Sequence, residues 1–97
     1  MRNATARSLI LLLLTGLAAC SGATSGRVAV GNLGNEEFLR LRAGPGLGYA
    51  VVLGVPEGTA LIRQDCTTEL GQLWCRVALA EARNVTGHVA ADYLTAP

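Results

Sequence analysis

Three cysteines and one histidine, Cys20, Cys66, Cys75 and His88, are the side chains best suited to covalent, redox or metal chemistry. A zinc site takes about four such ligands, commonly with two cysteines a couple of residues apart, and this set has no such pair. A Cys–His nucleophile pair needs a free thiolate. We therefore expect Cys66 and Cys75 to form a structural disulfide, with a metal site or a reactive thiol as the alternative.

The other polar residues supply no catalytic set. General acid–base catalysis commonly uses paired carboxylates or a partnered histidine, and no motif of that kind surrounds His88 or the acidic residues. We expect a noncatalytic protein without a cofactor, and we assign it neither a catalytic residue nor a metal ligand.

Cys20 follows a stretch typical of a secretory signal, in which arginines precede the apolar run Leu9 to Leu14. That run is shorter than the roughly 20 apolar residues needed to span a bilayer. The stretch ends in Leu17-Ala18-Ala19-Cys20, which resembles the lipobox of bacterial lipoproteins. The resemblance implies a signal peptide over residues 1–19 and lipidation of Cys20. The alternative is an ordinary cleaved signal with an incidental cysteine.

Residues 20–26 then comprise the lipidated cysteine and a small, polar, flexible tether, SGATSG. Two or more acyl chains anchor a protein stably, whereas one does not. The lipoprotein resemblance places the protein in the cell envelope, and Ser21 after the cysteine is compatible with the outer membrane, facing the periplasm. The membrane is therefore one expected partner.

The charge balance argues against nucleic acid as a partner. The formal net charge is +1 at pH 7, and cleavage of the signal peptide would remove Arg2 and Arg7. Six arginines then face seven acidic residues, and six minus seven gives about −1. Nucleic-acid binding depends on clustered cations, so we expect none.

The sequence from residue 27 to 97 predicts one small all-β domain, a barrel or a sandwich. Leu39 and Leu41 alternate with Arg40 and Arg42, which places the leucines on one face of a strand. No stretch after residue 26 has an apolar period of helical length. The predicted strand runs are 27–30, 37–42, 50–55, 59–66, 72–79, 87–90 and 93–94.

The fourth and fifth runs predict a hairpin that turns on Leu70 and Gly71. Residues paired across such a hairpin have numbers that sum to 141, as Cys66 and Cys75 do. Residues opposed in an antiparallel ladder have Cα atoms about 4.5 to 5.5 Å apart, which a disulfide tolerates. Export to an oxidising compartment would allow the bond to form.

The stretch LRAGPGLGY, residues 41–49, contains three glycines that could bind phosphate, serve as a linker or form a turn. Phosphate binding needs G-x-G-x-x-G leading into a helix, but a strand run follows here and Pro45 lacks an N–H. Apolar strands on both sides argue against a linker. We predict a compact surface loop in which Gly44 and Gly46 adopt positive φ.

An ordered set of motifs between residues 28 and 95 resembles the bacterial SH3-like (SH3b) domain. The motifs are Leu39-Arg-Leu-Arg-Ala-Gly-Pro-Gly46, Tyr49, Pro56-Glu-Gly-Thr59, Trp74-Cys-Arg-Val77, Gly87-His-Val89 and Tyr93-Leu94. The resemblance implies a small barrel of about five short strands. It also implies a noncatalytic binding module for peptidoglycan or its stem peptides. The alternative is a structural or accessory lipoprotein that docks on an envelope protein complex.

By the same resemblance, the candidate ligand-binding residues are Arg42, Tyr49, Trp74, His88 and Tyr93. Each also has a structural interpretation: Trp74 and Tyr93 could seal the barrel, and Arg42 could bond loop carbonyls. His88 stands where the family usually has tryptophan, and its imidazole could contact a ligand, respond to pH or have no role. The oligomeric state stays open.

Overall fold

A computed structural model describes residues 26–97 of the chain. The predicted signal peptide (1–19), the predicted lipidation site Cys20 and all of the tether except Gly26 lie outside the described residues. Within the described residues, no helix is long and apolar enough to cross a membrane.

The described chain forms one antiparallel sheet that curls into a half-barrel. Its strands are β1 (Arg27–Val30), β2 (Leu39–Arg42), β3 (Val51–Val55), β4 (Ala60–Glu69), β5 (Gln72–Leu79), β6 (Ala82–Ala90) and β7 (Leu94–Thr95), with a 3-10 turn at Ala91–Tyr93. The order across the sheet is β3-β2-β6-β5-β4-β1-β7. The all-β prediction is confirmed.

The sheet has seven strands, the number of strand runs that the residues predict, whereas the SH3b resemblance implies about five. At the ends of the domain, the short strands β1 and β7 extend the sheet beyond β4. There β1 pairs with β7, with Ala29 opposite Thr95 and Val30 opposite Leu94. This pairing joins segments that are far apart in the sequence.

The core lies on one face of the sheet, because alternate residues of a strand point to opposite faces. Leu39 and Leu41 of β2 are buried and Arg40 is exposed, as their alternation predicts. The fully buried side chains are Leu41, Leu61, Val30, Val77, Val89 and Cys75. The other face, which we call the outer face, carries Arg42, His88 and Trp74.

The predicted hairpin and disulfide are confirmed. Cys66 pairs with Cys75 in the β4–β5 ladder, with Cα atoms 4.0 Å apart and a sulfur–sulfur bond of 2.05 Å. The turn residues Leu70 and Gly71 have φ of 51° and 80°, as a two-residue type I′ turn requires. A bulge between Arg63 and Cys66 then shifts the register, so the sum rule applies to the disulfide end of the hairpin.

Gly87 in β6 lets β2 and β6 approach closely. A Cβ added at Gly87 would lie 2.7 Å from Cβ and 3.2 Å from Cγ of Leu41, which is completely buried. Because Leu41 has no room to move away, Gly87→Ala is expected to lower the free energy of unfolding by about 1 to 3 kcal/mol, the usual cost of overpacking. Urea denaturation measures the change.

Gly48→Ala is the matched control, because its added Cβ would meet nothing within 4 Å. Its unfolding midpoint should stay close to that of the natural protein. Equal midpoints for the two variants would show that the contact between Gly87 and Leu41 is not tight.

Candidate functional site

A groove of about 640 Å³ is lined by outer-face residues of the sheet together with residues of the segment that leads into β2. Its lining also includes part of the loop from Ala43 to Ala50, called here the glycine loop, and the tip of the β4–β5 hairpin around Leu70. Trp74 and Ala90, which pair across β5 and β6, contribute from the sheet. Tyr93, at the end of the 3-10 turn, also lines the groove.

Arg42 holds the glycine loop in place. Its Nη1 donates hydrogen bonds to the carbonyl oxygens of Leu47 at 3.2 Å and Tyr49 at 3.1 Å. The backbone N–H of Ala43 donates to the carbonyl of Ala50 at 2.8 Å and closes the base of the loop. Arg42 also lines the groove. Its hydrogen bonds are those expected if it bonds loop carbonyls rather than a ligand.

The glycines of this loop are needed for a different reason from the one predicted. Neither Gly44 nor Gly46 has a positive φ, so that prediction is wrong. Instead, the ring of Tyr49 lies against both residues, and a Cβ added at Gly44 would come within 2.5 Å of its Cδ1. Gly44 therefore gives the ring space, and Tyr49 stabilises the loop without lining the groove.

Two of the candidate aromatic residues lie together in the groove. Trp74 is 6% exposed, and Tyr93 is half-buried and packs against the core as well. Both can therefore seal the sheet and still present a ring edge to a ligand. Their position fits the structural interpretation and the binding interpretation alike.

His88 lies beside the groove rather than in it. In the sheet register it stands between Arg42 of β2 and Arg76 of β5, so these three residues form a row across the outer face. The side chain is half-buried, and its Nδ1 is buried without a hydrogen-bond partner within residues 26–97. The structure thus brings Arg42, Trp74 and Tyr93 into the groove and leaves Tyr49 and His88 outside its lining.

The rim of the groove contains exposed apolar residues that belong to none of the predicted binding positions. Phe38, Leu47 and Leu70 are 49%, 76% and 105% exposed. Leu70 also has a positive φ, which is uncommon for a bulky residue, and its position in a type I′ turn usually belongs to asparagine, aspartate or glycine. In the sequence, the only sign of this residue was a leucine within a predicted two-residue turn, where a polar residue or glycine is usual. Leu70 contributes little to folding, so it is a candidate for binding.

The charged residues of the groove are unevenly paired. Arg40 forms an exposed ion pair with Glu36 at 3.4 Å, and Arg42 is engaged by the glycine loop. The carboxylate of Asp92 accepts one long hydrogen bond, 3.4 Å from Nε2 of Gln72. Glu69 makes no ion pair within the part of the chain that the structure describes. Arg42 keeps its positive charge, so the lining carries two arginines and three carboxylates and has a formal charge of −1.

A second exposed apolar feature is the edge strand β3. It is the last strand in the sheet order and pairs only with β2 among the described strands. Val51, Val52 and Leu53 are 48%, 52% and 37% exposed, and no charged residue occurs between Ala50 and Val55. Edge strands of this kind are open to pairing with another chain.

No protein-family model matches the chain, and no match is found among curated proteins or solved structures. Within residues 26–97, no three His, Cys, Asp or Glu side chains are grouped as a metal ion would require. The function is therefore argued from the groove, its rim and the edge strand.

Proposed function

We propose that this protein is a lipid-anchored, noncatalytic binding module of the cell envelope that recognises peptidoglycan through its stem peptides. The observation that carries the proposal is the groove, whose lining includes both Leu70, an exposed leucine at a turn position with positive φ, and part of the loop that Arg42 and Tyr49 stabilise. Loops and turns that folding alone would not select are common at binding sites.

The size and composition of the groove suit a short extended ligand. Its volume of about 640 Å³ lies within the range typical of ligand sites, and its lining combines apolar side chains with a few polar ones. The half-buried ring of Tyr93 gives contact area at low entropic cost, and Trp74 adds a ring edge. The groove therefore fits a peptide or glycopeptide of a few residues.

The wider identity of the module rests on sequence resemblance. The motifs similar to SH3b domains supply the glycine loop, Trp74 and Tyr93, which meet at this groove. The curled antiparallel sheet is compatible with an SH3-like barrel. The lipobox-like sequence ending at Cys20 supports an envelope location, at the outer membrane and facing the periplasm.

Cosedimentation of the purified protein with isolated cell-wall sacculi tests the function. We expect the protein to pellet with sacculi and Leu70→Asn to reduce its affinity by about tenfold or more, because an exposed apolar anchor is lost. The same substitution should leave the fold intact or slightly more stable, because asparagine accepts positive φ more readily than leucine.

Leu73→Asn is the matched control, since Leu73 is an exposed leucine of the same hairpin that does not line the groove. Its affinity for sacculi should be unchanged. If the natural protein fails to pellet, or if both variants bind as well as it does, the proposed function is wrong.

The edge strand β3 favours a second function, docking on an envelope protein complex. An uncharged edge with exposed Val51, Val52 and Leu53 can accept an added strand from a partner protein. Crosslinking in intact cells, followed by identification of the captured protein, tests this. Capture that is lost in Val52→Lys and kept in Leu70→Asn would support docking through β3, whereas equal capture by both variants would contradict it.

A further inference from the structure

One end of the groove brings three polar side chains side by side. Glu69, the last residue of β4, pairs with Gln72 at the start of β5, on the face that carries Trp74. Gln72 in turn donates from Nε2 to Oδ1 of Asp92. All three residues line the groove. Two carboxylates therefore flank one amide at the hairpin end.

The cations of the groove do not neutralise this end. Arg40 is paired with Glu36. Arg42 keeps its positive charge, but its Nη1 is held by two carbonyls of the glycine loop and forms no ion pair with Glu69 or Asp92 within the described residues. Glu69 and Asp92 are both exposed, so each keeps acceptor capacity for a ligand. The groove thus has an apolar middle and a negatively charged end.

We propose that the groove binds an extended peptide segment that carries a primary ammonium group, with the ammonium between the carboxylates of Glu69 and Asp92. An ammonium offers three donors, which two carboxylates can accept together. The apolar part of the same segment lies along Trp74, between Leu47 and Leu70. This inference rests on the proposed function, because it names the ligand class of the same groove.

Charge complementarity decides against the other ligand classes. A carboxylate or phosphate placed at this end would face two like charges, and opposed like charges discriminate strongly between partners. A neutral segment would gain no charge attraction from the two exposed carboxylates. A cationic segment with an apolar part satisfies the charged end and the apolar middle together, and a compact ammonium can donate to both carboxylates at once.

Three capped peptides test the inference: acetyl-Ala-Leu-Lys-amide, its Nζ-acetylated form, and the same peptide with glutamate in place of lysine. Binding is followed by amide chemical shifts of the folded protein. The lysine peptide should bind about tenfold more tightly than the other two, and added salt should reduce the advantage. Shifts should centre on the residues around Glu69, Trp74 and Asp92.

Glu69→Gln and Asp92→Asn should each reduce the preference for the lysine peptide by about threefold to tenfold. Both residues are exposed, so neither change should alter the fold. Glu81→Gln is the matched control, because Glu81 is an exposed carboxylate in the turn between β5 and β6 and does not line the groove. It should leave the preference unchanged.

The outcomes separate this inference from the proposed function. Equal affinity for the lysine and acetyl-lysine peptides, no binding of any peptide, or an equal effect of Glu81→Gln would overturn the ammonium site. Sacculus binding that Leu70→Asn weakens would leave the proposed function standing in each of those cases. A clear lysine preference without sacculus binding would reject the peptidoglycan function alone.

Discussion

Cys66→Ser is expected to lower the free energy of unfolding by about 2.5 kcal/mol, because it opens a loop of roughly ten residues in the chain-entropy model. The bond it removes joins residues nine positions apart in the central hairpin. Domains of this size are stable by only about 5 to 15 kcal/mol. The melting temperature should therefore fall by about 10 to 20 °C in thermal unfolding without reductant.

Substitution at Cys66 measures the effect of the disulfide without a change in core packing. Cys66 is exposed, so a serine there meets water, whereas Cys75 is 1% exposed and its replacement would also disturb the core. Reduction of the natural protein should reproduce the loss, and Thr68→Ser on the same strand should not. Because Cys75 is buried, its freed thiol should react with a thiol probe at a rate set by opening of the hairpin. An unchanged melting temperature would contradict the stabilising role of the bond.

The features that the sequence predicted well depend on local signals. The strands β1 and β5 begin and end at the predicted residues, because turn residues or polar residues bound their apolar runs. The register near the disulfide followed from one two-residue turn, Leu70-Gly71, which fixes every pair up to the bulge. Turn chemistry and alternation are short-range properties, so one sequence is enough to interpret them.

The features that it missed depend on contacts between distant segments. β6 begins at Ala82 rather than at residue 87, since the ladder with β5 makes a strand of residues that lack apolar alternation. Gly44 is required by the ring of Tyr49 and not by its own φ. Spacing in the sequence does not reveal either contact.

The residues of the groove divide in the same way, into those that local motifs predicted and those that only the fold brings together. Trp74, Tyr93 and Arg42 were candidates because they belong to motifs, and they do line it. Leu70 and Glu69 were not candidates, since a turn residue and an acidic strand end are ordinary in a sequence. Their proposed roles depend on the fold, which brings the hairpin tip and the glycine loop into the lining of one groove.

Cys20→Ser is expected to move the protein from the membrane fraction to the soluble fraction almost completely. The proposed anchor depends on a thiol to carry the acyl chains, which serine does not provide, and stable membrane attachment takes two or more such chains. Fractionation of cells followed by immunoblotting measures the shift. Mass spectrometry of the natural protein should show an acylated amino-terminal Cys20.

Ser21→Ala is the matched control, because it changes the neighbouring residue and keeps the thiol. It should leave the protein in the membrane fraction. The Cys20→Ser protein should bind the lysine peptide as tightly as the natural one, since all residues that line the groove lie between Leu33 and Tyr93. In cells, however, it should lose the local concentration that the proposed tether, at most about 20 Å long, would provide. Retention of Cys20→Ser in the membrane fraction would show that something other than acylation of this cysteine holds the protein there.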